Sequence, residues 1–223
     1  MLSRPGQGPS KILLVDDHPI VRLGFMSLLR QVDPSIEFHE AANRNEAMEV
    51  ALSVSPCIAL VDLSLAGTLA LDLIKQFRER LPAMSILVVS MHDEKVYAER
   101  ALRAGAQGYV MKQIAAKSII LAVRTVCEGR VWLSEDFRRE LDGRMVSGGN
   151  PAALTGLSAL SDRELGVFQL IGRGLKKSGI ASLLSLSPHT VETHRTNIKQ
   201  KMGVASGAEL YRIAFLHSQG TEN

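Results

Sequence analysis

The sequence predicts an α/β protein: a doubly wound, five-stranded parallel sheet followed by a small all-α domain built around a helix-turn-helix. Three observations carry that expectation. Short apolar runs rich in β-formers alternate with helical patterns five times between residues 11 and 128. A Gly/Pro-rich break, Ser147-Gly148-Gly149-Asn150-Pro151, interrupts the chain. Beyond it the pattern is helical only.

The elements follow in order. Lys11 to Val15 is the first buried strand and runs into Asp16-Asp17. Val21, Phe25, Leu28 and Leu29 lie at helical spacing between Pro19 and Arg30. Ile36 to Glu40 alternates as a half-buried strand does, and Asn45 to Ser53 is the next helix. Cys57 to Leu63 reads as a fully buried strand ending at Asp62. Leu71, Ile74, Phe77 and Leu81 mark a helix that stops before Pro82. Ile86 to Val89 leads to Ser90, Glu94 to Ala104 is a helix closed by Gly105, and Gly108 to Met111 leads to Lys112. A last helix covers Ala115 to Cys127.

The expected organisation is a disordered head (1–10), a first domain (11–128), a linker (129–154) and a second domain (155–218). A short helix over Phe137 to Met145 fits the linker's charged stretch. In the second domain Ser161 and Glu164 form a capping box, and Gly172 and Gly174 mark the end of that helix. Ile180 to Leu184 is a short second helix, and Ser185-Leu186-Ser187 is a turn. Ser187 and Pro188 start a third helix, and 209–216 is a fourth.

Composition narrows the class. No apolar run approaches the roughly 20 residues that span a bilayer, and the polar N-terminus lacks the apolar core of an export signal. Cys57 and Cys127 lie in apolar stretches and are expected as buried free thiols, which fits a cytoplasmic protein. Residues 11–128 carry 13 basic against 14 acidic side chains, whereas 155–223 carry 8 against 5. The second domain is therefore the part suited to a polyanion.

The strand ends carry the chemistry. In an open parallel sheet they deliver their last residues to one rim. Here that rim collects Asp16, Asp17, Asp62, Ser90 and Lys112. Three neighbouring carboxylates repel, and a hard divalent cation such as Mg2+ relieves the repulsion while keeping sites for phosphate oxygens. Asp62 is then a carboxylate nucleophile for a phosphoryl group. Lys112 pairs with one phosphoryl oxygen as a point charge, and Ser90 donates to another. Separate solvated acids at loop starts are the bland alternative, and the ordered placement of all five argues against it.

With these residues in view, 11–128 resembles a response-regulator receiver domain. The likeness rests on Val15-Asp16-Asp17-His18, Leu60-Val61-Asp62-Leu63, Val88-Val89-Ser90 and Gly105 through Lys112. It implies phosphorylation of Asp62 by a histidine kinase. Mg2+ would be bound directly by Asp17 and Asp62, through water by Asp16, and by the backbone carbonyl of Ser64. Ser90 and Tyr109 fall at positions that rearrange with the phosphate, Tyr109 repacking inward. One segment departs: receivers carry Pro-Gly and then a second Gly after the acceptor, where this chain has Ala66, Gly67 and Ala70. An altered loop beside the site is expected.

In the second domain Val191, His194, Ile198 and Met202 form the buried stripe of the third helix. Glu192, Thr193, Thr196 and Lys199 face the other way, with Arg195 and Lys201 alongside, a set able to enter a major groove. Lys176, Lys177 and the start of the third helix, with Thr190, suit phosphates. The segment from Leu160-Ser161-Asp162-Arg163-Glu164 to Ala214 is similar to the LuxR-type helix-turn-helix, through Ile171 to Gly174, Leu186 to Val191, His194, Asn197-Ile198 and Lys201 to Val204. The pairing resembles the NarL/FixJ group. It implies a phosphorylation-controlled transcription regulator on double-stranded DNA, a homodimer when active and not an enzyme. Two alternatives stand beside it. One is a DNA-binding regulator that works without phosphorylation and uses the receiver for dimerisation. The other is a Mg2+-dependent phosphohydrolase on the same rim, for which the sequence supplies no added substrate-binding elements.

Overall fold

The computed structural model describes residues 10–146 and 156–219, with side chains for all but 144–146 and 219. Residues 1–9 of the expected head and the Ser147–Pro151 linker lie outside the described residues. The chain divides into two compact units, Met1–Asp142 and Gly143–Asn223.

The first unit is built on a five-stranded parallel sheet in the order β2-β1-β3-β6-β7. The strands are β1 (Lys11–Val15), β2 (Glu37–Ala41), β3 (Ile58–Asp62), β6 (Ser85–Ser90) and β7 (Gly108–Met111). A separate two-stranded hairpin, β4 (Ser64–Leu65) and β5 (Thr68–Leu69), follows β3 directly. The helices are α1 (Pro19–Arg30), α2 (Arg44–Val54), α3 (Leu71–Arg80), α4 (Glu94–Ala104) and α5 (Ala115–Cys127). Continuous apolar strands need cover on both faces, and the helices supply it. Phe25, Met26 and Leu29 of α1 join Ile119, Val123 and Val126 of α5 against Ile12, Leu14, Leu60, Leu87 and Val110 on one face. α2, α3 and α4 pack side by side along the chain's other helical layer.

Register places the chemistry. Val15 pairs with Val61, Asp62 with Val89, and Ser90 with Met111. Asp16 and Asp62 therefore leave their strands level with each other, and Lys112 follows one residue after the Ser90 pair. The chain moves from β1 outward to β2 and then returns to place β3 on β1's other side. The crevice between β1 and β3 is the switch point at which such sheets hold ligands.

Of the segment expected as linker, residues 129–146 are described. Trp132 forms a parallel bridge with Gly108: its N–H donates to Gln107 O at 3.0 Å, and its carbonyl accepts from Tyr109 N at 3.1 Å. The exposed edge of β7 is thereby covered, a general need of open sheets. Ser134 N donates to the buried Glu94 carboxylate at 2.9 Å, and α6 (Glu135–Val146) starts there with Phe137 buried. Charge density along the chain does not register such a bridge, because it joins residues distant in sequence.

The second unit holds α7 (Asp162–Gly172), α8 (Lys177–Leu183), α9 (Pro188–Met202) and α10 (Gly207–Gln219). The capping box is formed in both directions, Glu164 N to Ser161 Oγ and Ser161 N to Glu164 Oε2. α7 lies so close to α10 that a Cβ on Gly172 would stand 2.3 Å from the Ala214 carbonyl oxygen. α8 begins earlier and α10 runs longer than their apolar patterns indicate, because both start on polar turns: Lys176 precedes α8, and Ser206 accepts from Glu209 N.

A Cβ on Gly108 would meet Leu87 at 2.8 Å and Trp132 at 3.0 Å. Gly108→Ala is expected to lower stability by about 1–3 kcal/mol through overpacking. Trp132 is the single tryptophan, so its emission reports the event. A red shift marks release of the Trp132 bridge, and unchanged emission and stability would refute it.

Candidate functional site

The acid rim is assembled by Lys112. Its Nζ donates to Asp16 Oδ2 at 2.7 Å and to Asp62 Oδ2 at 2.8 Å. All three side chains are nearly enclosed, with exposures of 10%, 5% and 5%. Asp62 Oδ1 accepts from Ser64 N at 3.1 Å, and Asp16 Oδ1 from His18 N at 2.8 Å. Burial raises the Asp62 carboxyl to about 6; Lys112 pulls it down and Asp16 pushes it up. Burial acts to lower Lys112, but Asp62 and Asp16 outweigh it, and the ammonium is held above its ordinary value.

One cation among three carboxylates leaves the rim short of positive charge. Asp17 shows the deficit at atomic level. Its Oδ2 accepts from Ala66 N at 3.2 Å, while its enclosed Oδ1 accepts no hydrogen bond, although His18 Nδ1 lies 2.9 Å away. Ligand atoms of Asp16, Asp17, His18 and Asp62 all fall within 4.8 Å of one another. Hard carboxylate oxygens with an unsatisfied member suit Mg2+.

The hairpin beside the rim is where the chain departs from the receiver pattern. Its two turn residues, Ala66 and Gly67, both have positive φ, 47° and 82°. A proline at 66 is locked near −65° and has no N–H, so it could neither adopt this turn nor donate to Asp17. Arg44 fixes the far strand through Thr68 Oγ1 at 2.9 Å and the Leu69 carbonyl. No residue-level signal in the sequence marks that contact across the α2–β5 gap.

Ser90 and Tyr109 are both fully buried. Ser90 Oγ accepts from His92 N at 3.1 Å, and Tyr109 Oη donates to His92 O at 2.9 Å. His92 stacks on Tyr97 with ring centroids 4.6 Å apart. The Tyr109 ring lies inside, held by the His92 carbonyl. Cys57 is a correction, being exposed where a buried thiol was expected, while Cys127 is half-buried. Cys57 precedes β3 at the sheet's open amino edge, so the apolar run that follows does not enclose it.

In the second unit α8, the turn and α9 form the helix-turn-helix. Ser185 takes φ 52°, and Leu186 N donates to Ala181 O at 2.8 Å, closing the turn. Ser187 Oγ accepts from Thr190 N at 3.0 Å and lies 2.8 Å from Thr190 Oγ1. Val191 and Ile198 are buried, whereas Glu192, Thr193 and Thr196 are exposed and Arg195 and Lys199 partly so. Lys176 and Lys177 are exposed at the start of α8, and Lys177 lies 3.7 Å from Glu192. Thr193 Oγ1 bonds back to His189 O at 3.2 Å. Lys201 differs from the rest: its Nζ donates at 2.6 Å to the buried Glu164 carboxylate. Burial acts to raise that carboxyl, but Lys201 and Ser161 together hold it below its ordinary value. Lys201 thus neutralises a buried cap, a role hidden from any reading of one helix face.

Fold and rim together define a receiver joined to a helix-turn-helix. Residues 12–124 match the response regulator receiver domain, and 158–214 match the bacterial regulatory proteins of the luxR family. The oxygen regulatory protein NreC of Staphylococcus aureus is 33% identical over 208 residues, covering 92% of this chain and 96% of that one. The transcriptional regulatory protein MctR of Rhizobium johnstonii is 30% identical over 207 residues, covering 93% and 94%. RcsB of Salmonella enterica serovar Typhimurium, solved bound to promoter rprA with the phosphomimetic BeF3−, has a TM-score of 0.71 at 22% identity, covering 93% of this chain and 99% of that one. The chain belongs to the two-component response regulators of the NarL/FixJ type, DNA-binding transcription regulators with a receiver followed by a LuxR-type helix-turn-helix. Among the described residues no helix is long and apolar enough to cross a membrane.

The raised Asp62 gives a sign to the pH dependence. Between its ordinary 3.8 and about 6 the folded state holds more protons at this site than the unfolded chain. Stability therefore falls as pH rises through that window. In EDTA, Asp62→Asn is expected to be more stable than wild type at pH 7 by on the order of 2 kcal/mol, and the difference shrinks towards pH 4. Denaturant titrations across that range measure it; a difference independent of pH would contradict it.

Proposed function

We propose that Asp62 accepts a phosphoryl group from a histidine kinase and that this controls sequence-specific binding of double-stranded DNA by α8 and α9. The observation that carries the reading is the Lys112 bridge between the buried carboxylates of Asp16 and Asp62. An Asp62 oxygen attacks phosphorus, the bond from phosphorus to the kinase imidazole nitrogen breaks, and the imidazole leaves. Lys112 turns from Asp62 to a phosphoryl oxygen, and Ser90 donates to another. Asp17, Asp62 and the Ser64 carbonyl would hold Mg2+ directly and Asp16 through water, and the bound ion would neutralise charge between nucleophile and phosphoryl. Tyr109 and Ser90 both hydrogen-bond at His92, so a moving Ser90 hydroxyl changes the loop that leads to α4.

On the DNA side, Lys176, Lys177, Arg195 and Lys199 contact phosphates or guanines, and Thr190, Glu192, Thr193 and Thr196 face base edges. Lys201 stays with Glu164 and contributes through stability. The active species is a homodimer on paired half-sites, and the protein works in the cytoplasm. The receiver domain proper spans 11–128 and the DNA-binding domain 155–218, with 129–154 between them.

A second reading, regulation without phosphorylation, draws on the hairpin tip. Ala66 N already occupies one oxygen of Asp17 in a turn that the Pro-Gly of other receivers would not form. Beryllofluoride with Mg2+ separates the two. It is expected to tighten binding to genomic promoter fragments at least tenfold in wild type and not at all in Asp62→Ala. Equal affinity in all four conditions would favour the second reading. Affinity should also fall steeply with salt, and Lys199→Ala should reduce that slope by about 1. Lys201→Met should instead lower thermal stability.

A further inference from the structure

Two thiols meet at the amino edge of the sheet, the end opposite the acid rim. Cys57 immediately precedes β3, and Cys127 is the last residue of α5. Ser85 joins the two places. Its N–H donates to Cys57 O at 2.9 Å, and its hydroxyl to Val126 O at 3.3 Å. On the other side Cys57 N and Sγ both donate to Lys11 O, at 3.0 and 3.1 Å. The backbone around Cys57 is thus pinned to β1 and β6. Its side chain is exposed, and it shares a hydrogen bond with the Cys127 thiol. Cys127 is half-buried against the core beneath α5.

We propose that Cys57 and Cys127 form a reversible intramolecular disulfide, with Cys57 attacked first by oxidants of the glutathione disulfide class and Cys127 resolving. The order follows from exposure, since an oxidant reaches Cys57 before Cys127. The hydrogen bond from Cys127 also outweighs burial and draws the Cys57 thiol down to about 7, where much of it is thiolate near neutral pH. Cys57 thiolate attacks one sulfur of glutathione disulfide, forming a mixed disulfide and expelling one glutathione thiolate. Cys127 loses its proton to solvent and attacks the Cys57 sulfur, expelling the second glutathione. Two protein thiols are oxidised, and one disulfide is reduced to two thiols. The two thiols that share a hydrogen bond would be joined at about 2.05 Å in the disulfide. It closes a covalent loop containing Asp62, Ser90, Tyr109 and Lys112, so oxidation constrains the unfolded chain and stabilises the unit in which those residues work.

These two are the chain's only cysteines, which makes the test simple. The full chain is incubated with glutathione disulfide, quenched with maleimide, and examined by intact mass and peptide mapping. The expected product is a monomer about 2 Da lighter that takes no maleimide. It should yield a Cys57–Cys127 linked peptide and revert with dithiothreitol. Cys127→Ser should stop at a glutathione adduct on Cys57, and Cys57→Ser should react far more slowly. A wild-type protein that keeps a stable glutathione adduct, remains fully alkylatable, or cross-links only between chains would overturn the proposal. The outcome does not depend on phosphorylation or DNA binding.

Discussion

The receiver depends on one ammonium shared between two buried carboxylates. Lys112 spans β1 and β3 from the far side of β6, and it can do so because three strand pairings set its height on the rim. Removing Lys112 from such an arrangement typically costs about 3–5 kcal/mol, because two buried carboxylates lose their cation, whereas without Asp62 the ammonium still keeps Asp16. Even with Lys112 in place the rim is unfavourable for charge: burial first, and Asp16 after it, raise the Asp62 carboxyl, and Asp17 Oδ1 accepts no hydrogen bond. A site held in this unsatisfied condition favours any incoming group that brings positive charge with it. The electrostatics that make the rim costly thus also make it receptive.

The same logic of neutralisation recurs in the helical unit with the opposite outcome. Glu164 is also hidden from solvent, but it is less deeply enclosed than Asp62, and its Oε2 accepts from both the Ser161 backbone and Lys201, so its carboxyl is held low. Each carboxylate accepts from one backbone N–H and one lysine; Asp62 differs in the stronger effect of its burial and in having Asp16 beside it.

Much of this was legible in the sequence because it is local. Each strand's apolar run ends in its functional residue, so Asp16, Asp62, Ser90 and Lys112 could be assigned to one rim from strand ends alone. Ser161 and Glu164 announced their capping box by spacing. What escaped was made by contacts between distant segments. The Trp132 bridge to Gly108 depends on the edge of β7, and the Ala66-Gly67 turn depends on Arg44 and Asp17. Lys201 was assigned to a groove face because helical spacing does not reveal Glu164 on another helix. Cys57 was expected inside because its neighbours are apolar, yet it sits one residue before the strand enters the core.

The chemistry proposed for the rim comes down to whether a carboxylate accepts a phosphoryl group, and which one. Borohydride converts an acyl phosphate of aspartate to homoserine, so reduction of the protein after treatment with acetyl phosphate and Mg2+, followed by peptide sequencing, reads the position. Homoserine at residue 62 alone is the expected result. Homoserine at 16 or 17, or none at all in folded protein, would contradict the reading of Asp62 as acceptor.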